Sequence, residues 1–406
     1  VEGWKFRETS GNTAEFMGTS SENKEVTIPE KMEFNRITAI GDRAFQGNWS
    51  QRVITVKSNI TRIGTHAFWN CKYLERLFLP DTIEKIGTGA FGVCPKLYVH
   101  ISPENPTLAV LKGLLFFKPE KRLLLCMDRT NTVCSVPAGT RIIDEGAFAM
   151  CEKLSFVHIN QTVLEIGAEA FNQCTNLTNV SIYEGLQSIG DYAFLGCEKL
   201  QEFVIPSSVV SIGKNPFRQC FNIQLQVAKD SPYFYMQDMA LLDRREKRLI
   251  SYIKTFGHSS CHIPEGTVLV DERAFYGITY LQKVVFPTSV LTIGKYAFSD
   301  CKYLQFVELA KGLTRIGDGA FEGCQAMKTI TIPEGVKEIG DWAFFNCESL
   351  HKVVLPASVV AIGNRAFDKC SPMLEIIVPR GSYAESYAKA NQINCKYPDA
   401  DNWLKE

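Results

Sequence analysis

Fourteen cysteines and six histidines are the residues of this 406-residue chain with the most chemistry to offer. Cysteine at that density supplies a disulfide framework, a zinc centre or a redox pair where the spacing allows it. Here it does not. No Cys-x-x-Cys pair occurs, and ten of the cysteines (Cys71, Cys94, Cys151, Cys174, Cys197, Cys220, Cys301, Cys324, Cys347 and Cys370) each stand three residues after a phenylalanine. Asn48 and Ile278 take the same place after Phe45 and Phe275. A position that accepts cysteine, asparagine or isoleucine is a small interior slot, so free buried thiols are expected there. The Cα separation of neighbouring copies alone does not forbid a bridge. Cys126, Cys134, Cys261 and Cys395 stand apart. His66, His100, His158, His258, His262 and His351 form no His-Glu-x-x-His, and Gly-x-Ser-x-Gly, the phosphate loop and the dinucleotide glycine motif are absent. The expectation is a protein without metal, cofactor or catalytic activity, although single carboxylates and histidines from distant parts of a chain can converge.

Composition narrows the partners. Lysine plus arginine (44) equals aspartate plus glutamate (44), which leaves no net field to draw the chain onto a phosphate backbone or an anionic bilayer. Nucleic acid is therefore not an expected partner. Apolar residues at 45% and charged residues at 22% describe a folded chain with a large core. The longest apolar runs, such as Leu114–Phe117 and Leu123–Cys126, are far short of a transmembrane helix. The chain opens at Val1 without a charged-then-apolar leader, and has no Leu-Pro-x-Thr-Gly sorting motif. A processed form, or one trimmed of its targeting segment, is expected.

What positions the cysteines is a repeat. Phenylalanine after alanine recurs at Phe45, Phe68, Phe91, Phe148, Phe171, Phe194, Phe275, Phe298, Phe321, Phe344 and Phe367, with Phe217 after Pro216 in the same place. The spacing is 23 residues except for two intervals of 57 and 58, so twelve copies are interrupted twice by insertions of near-equal length. In the copy Ile63 to Pro80, Leu77 and Leu79 alternate with Arg76 and Phe78, the period-two pattern of a strand with one buried face. One strand per coil is predicted, with the Ile-Gly pair as a tight turn, Pro80 and its equivalents as strand stops, and Ala-Phe-x-x-Cys as a single helical turn. A 23-residue coil cannot bury its own apolar face and must stack on its neighbours, so that identical positions form continuous columns.

The pattern Ile-Gly-x-x-Ala-Phe-x-x-Cys-x-x-Leu-x-x-Val-x-Ile-Pro resembles the BspA-like class of bacterial leucine-rich repeats from about Ile40 to Pro379. The fold this implies is an α/β-type, right-handed leucine-rich-repeat solenoid of twelve coils with two hairpin insertions. One continuous domain is expected: residues 1–39 as cap and atypical first coil, 40–378 as solenoid, and 379–406 as C-terminal cap. The insertions fall at about 102–139 and 228–266 and resemble each other, Glu120-Lys121-Arg122 matching Glu246-Lys247-Arg248. The coil after each replaces the turn glycine, with Asp144 or Asp271. Duplication of a block of about 127 residues, Phe148 to Phe275, accounts for both. The insertions read as decoration that lengthens the sheet more readily than as a platform for a partner.

The outward strand positions vary freely and are the expected working surface. Arg76/Phe78, Phe156/His158 and Phe306/Glu308 are the candidate binding residues, the phenylalanines because exposed aromatics anchor protein interfaces. The resemblance implies adhesion to a host or extracellular protein, and a monomer, secreted or held on a bacterial cell surface, is expected. A module that captures carbohydrate, or a spacer that binds nothing, are the alternatives.

Overall fold

The computed structural model describes residues 3–253 and 259–398. His258, part of the second insertion and the end of the C-terminal segment therefore lie outside the described residues. The chain forms two compact units, 1–228 and 229–406, and the boundary falls where the second insertion was expected to begin. Each unit is a parallel β-solenoid.

Every coil carries two short strands rather than one. The expected strand is there, as Arg76–Phe78 with Leu77 buried between two outward residues. The residues before the glycine form a second, Arg62–Ile63, which pairs in parallel with Lys85–Ile86 of the next coil. The glycine that follows has a different purpose from the one predicted. At Gly190, φ lies outside the left-handed region, and an added Cβ would stand 2.4 Å from the amide nitrogen of Ala168. Close approach of the neighbouring backbone, not a turn, excludes a side chain. Gly190→Ala is expected to lower stability by about 1–3 kcal/mol through overpacking, read as a lower urea midpoint; an unchanged midpoint would show that the coils separate freely there.

The helical turn predicted at Ala-Phe-x-x-Cys is replaced by a chain of tight turns. The residues two before and two after each column phenylalanine hold left-handed φ, as His66 (53°) and Asn70 (58°) do around Phe68. This alternation aims every second N–H at the next coil: His66 donates to Thr88 O (3.0 Å), Phe68 to Ala90 O (2.8 Å) and Asn70 to Gly92 O (3.0 Å). A helix would have spent those donors within its own coil. Between them, Phe68 turns inward and is fully buried.

The columns form as the repeat requires. In the first unit Phe45 stacks on Phe68 at 5.1 Å, and Phe148, Phe171, Phe194 and Phe217 continue the pattern after the insertion. In the second, Phe275, Phe298, Phe321, Phe344 and Phe367 do the same. All fourteen cysteines are free. Further elements pack on the first and last column phenylalanines. The antiparallel strands Trp4–Thr9 and Thr13–Thr19 place Phe16 against Phe45 at 5.0 Å. Helix Tyr383–Ala390, started by Ser382 accepting from Glu385 N (3.1 Å), buries Ala384 and Ala388 and sets Tyr387 edge-on to Phe367.

The insertions are three-stranded meanders rather than hairpins. Leu108–Leu111, Leu114–Phe117 and Arg122–Cys126 pair antiparallel in turn, and the last pairs in parallel with Ile142–Ile143. Phe234–Gln237, Ala240–Asp243 and Arg248–Tyr252 repeat this in the second unit. Each meander therefore extends the sheet of second strands, and Arg122–Cys126 is buried throughout. Its final residue takes the place of a column phenylalanine: Cys126 N donates to Ala147 O (2.8 Å), and Tyr252 stacks on Phe275 at 4.7 Å. Counting such strands and the end strands as turns gives about 16, against the twelve predicted from phenylalanine alone.

The aspartates after each insertion occupy room that an ordinary coil would fill with backbone. Asp144 lies 3.5 Å from Arg122 Nη1 and accepts from Gly89 N at 3.2 Å, with both side chains buried. Arg122 also donates to Ile86 O. Burial raises the Asp144 carboxyl from 3.8 to about 6 against the opposing pull of Arg122. Arg248 and Asp271 form the same pair at 2.5 Å in the second unit.

Candidate functional site

The alternation of each three-residue strand puts its first and third side chains on one face, and the candidate residues stand there. In the first unit, Arg76 and Phe78 belong to a four-stranded sheet, while Phe156 and His158 belong to a separate five-stranded one. Phe306 and Glu308 lie in the second unit. Each pair shares one strand face, and the three strands belong to three different sheets. Arg76 is exposed, with Glu25 3.9 Å away.

Phe78 and Phe156 are half-buried rather than open. Phe78 is covered by His100, which stacks on it at 4.5 Å and 14°, and Tyr98 stands 4.9 Å from His100 with nearly half its surface exposed. Tyr98 and His100 are functional candidates that sequence reasoning missed. Their coil, shortened before the first insertion, carries the same alternation in Leu97-Tyr98-Val99-His100, which was the available signal. His158 meets Tyr183 edge-on at 5.6 Å.

Phe306 is open, 63% exposed. Its strand, Phe306–Glu308, and the following Thr329–Thr331 belong to different sheets. Among the described residues, Leu309 lacks the bond to the next coil that Leu79 makes to His100 O (3.0 Å) and Leu355 to Ile377 O (2.9 Å). Val307 and Leu309 are half-exposed, whereas their counterparts Leu77 and Leu79 are buried. A groove of about 660 Å³ opens along this break, with Lys283, Gln305, Phe306, Glu308, Thr329 and Thr331 among its walls. The first unit has the same weakness one duplicated block earlier, where Asn179–Ser181 and Glu202–Ile205 share only the pair Asn179–Glu202. Backbone groups freed from a ladder need partners, and an exposed groove leaves them to water or to a ligand.

His66 pairs with Glu145 at 2.6 Å among the turns, away from the strands that carry the candidate residues. Among the described residues no cluster of three or more histidine, cysteine or acidic side chains is placed to hold a metal ion. None of the described helices is long and apolar enough to cross a membrane.

A parallel solenoid with stacked phenylalanine and cysteine columns and a variable strand face is the architecture of a leucine-rich-repeat protein. The BspA type leucine rich repeat model matches residues 12–113, 128–233 and 252–374, and the chain belongs to that family. A leucine rich cell surface protein from Faecalibacterium prausnitzii is 27% identical, with 96% of each chain covered and a TM-score of 0.54. The pneumococcal vaccine antigen PcpA is 17% identical over 97% of this chain and 96% of its own, with a TM-score of 0.44. A leucine-rich repeat protein from Bacteroides ovatus is 21% identical over 98% of each chain, with a TM-score of 0.41. No curated protein sequence matches the chain.

Proposed function

We propose that this is a non-enzymatic binding protein of a bacterial surface or its surroundings, which holds an extracellular protein on its strand faces. The observation that carries the proposal is the parted ladder at Phe306: an exposed ring, two half-exposed aliphatic side chains and unpaired strand edges share one groove. Apolar anchor and hydrogen-bonding rim together make a protein-binding surface. The cell-surface description of the F. prausnitzii protein supports the location, and the first unit adds Phe78, Tyr98 and His100 as a second aromatic patch.

The test is a binding screen of the intact chain against matrix and host-surface proteins, repeated with Phe78, Phe156 and Phe306 changed to serine. Binding should weaken by about tenfold or more, the usual consequence of removing an aromatic anchor. Undiminished binding would move the site to the turns. A sugar is the second reading, favoured by the amide of Gln305, the carboxylate of Glu308 and the hydroxyls of Thr329 and Thr331 beside an exposed ring; a glycan array run on the same two proteins decides between them.

A further inference from the structure

Cys151 departs from its column. In the other nine coils that carry the cysteine, the thiol donates to the main-chain oxygen of the preceding coil's phenylalanine, as Cys174 does to Phe148 O at 3.1 Å. The coil before Cys151 is the first insertion, where Cys126 replaces that phenylalanine. The Cys151 sulfur instead accepts from Arg129 Nη1 at 3.3 Å, and the same guanidinium is fixed by Ala149 O (2.6 Å) and Cys94 O (3.1 Å). Cys126 stands beside it, with its own thiol 3.3 Å from Asp128 O. Both line a cavity of about 220 Å³, together with Lys112, Asp128 and a third cysteine, Cys134. Val133, more than half exposed, also lines it, so the cavity reaches solvent.

We infer that Cys151 and Cys126 are a thiol–disulfide exchange pair, with Cys151 the attacking thiol and Cys126 the resolving one, which takes small aliphatic disulfides through this cavity. A guanidinium hydrogen-bonded to sulfur stabilises the thiolate, the form that attacks. Cys126 and Arg129 both lower the Cys151 thiol, while Cys126 is raised by its neighbour and by burial and keeps its proton. Burial raises Cys134 to about 11, which sets it apart from the nucleophile. In the exchange, the Cys151 thiolate attacks one sulfur of the small disulfide, the S–S bond breaks, and one thiolate leaves to take a proton from water. Cys126 then loses its proton and attacks the mixed disulfide at Cys151. The Cys126–Cys151 bond forms, the second small thiol leaves, and the protein pair is oxidised by two electrons as the small disulfide is reduced. The second unit does not share the device, because Tyr252 and Ile278 stand where Cys126 and Cys151 do.

Trypsin separates the three thiols into Leu123–Arg129, Thr130–Arg141 and Ile142–Lys153, each with a single cysteine. The native chain is treated with cystamine, digested without reductant and weighed. The first and third peptides should be joined with the loss of two hydrogens, under conditions that leave Cys174 and Cys324 unmodified. Cys126→Ser should stop the reaction with cysteamine attached at Cys151. Arg129→Gln should slow labelling of Cys151 by about tenfold at neutral pH and move its pH midpoint upward. Cysteamine on Cys134 alone, an inert Cys151, or labelling spread over the column cysteines would each overturn the assignment, and the Cys126→Ser result stands even if the Arg129 variant does not fold.

Discussion

Phe171→Ala is expected to destabilise the first unit by about 3–5 kcal/mol, the range for removing a buried phenylalanine that the surroundings cannot replace. Phe171 is fully buried and stacks on Phe148 at 4.9 Å and 7° and on Phe194 at 5.1 Å and 2°. Both neighbours belong to adjacent coils, held in register by Phe148 N to Ala170 O and Phe171 N to Ala193 O, each 2.7 Å. The backbone therefore cannot collapse into the void. At Phe367 a smaller loss is expected, since Phe344 stacks on one side only and Tyr387 meets the other edge-on. Urea titration of the two variants measures the difference; equal losses would mean that column position does not matter.

Arg122→Met should cost a comparable amount, about 3–5 kcal/mol, because it strands a buried carboxylate. The side chains of Arg122 and Asp144 are only 4% and 1% exposed, and no water can replace the missing charge without opening the junction between meander and solenoid. The loss should depend on pH. With its folded value already raised above 3.8, Asp144 binds its proton more tightly in the folded chain, so its contribution is full below about 4 and is lost as pH rises through about 6. Removing Arg122 raises that value further and carries the loss to higher pH. Denaturation at pH 5 and pH 8 should accordingly show the variant closer to the parent at pH 5. The opposite order, or no difference, would mean that Asp144 is hydrated.

The column phenylalanines, the cysteine slot and the three-residue strands were legible because each depends on residue type at a fixed period. Ile63 was legible as core but not as strand, since a two-residue ladder has no alternation to read. The glycine after it was legible as necessary, but not why. Positive φ and close approach demand the same residue, and only the backbone around Gly190 tells them apart. The turn around Phe68 looked helical because its apolar spacing fits one helical turn, whereas its donors are claimed by the next coil. At the candidate site, the outward positions of Phe78 and Phe306 were readable from alternation. Their different exposure was not, because it depends on His100 across one ladder and on a missing ladder beside the other. Cys151 looked like any other column cysteine, and only the identity of the coil before it sets it apart.

Engagement of the partner through the strand faces is the expected behaviour of this molecule. Hydroxyl-radical footprinting of the intact chain, alone and with the partner recovered from the binding screen, tests it most directly. Protection is expected at Phe306, and at Tyr98 and Phe78 where the first unit takes part, with Trp342 and Tyr296 on the turns unchanged. Protection of Trp342 and Tyr296 with Phe306 still fully reactive would contradict it.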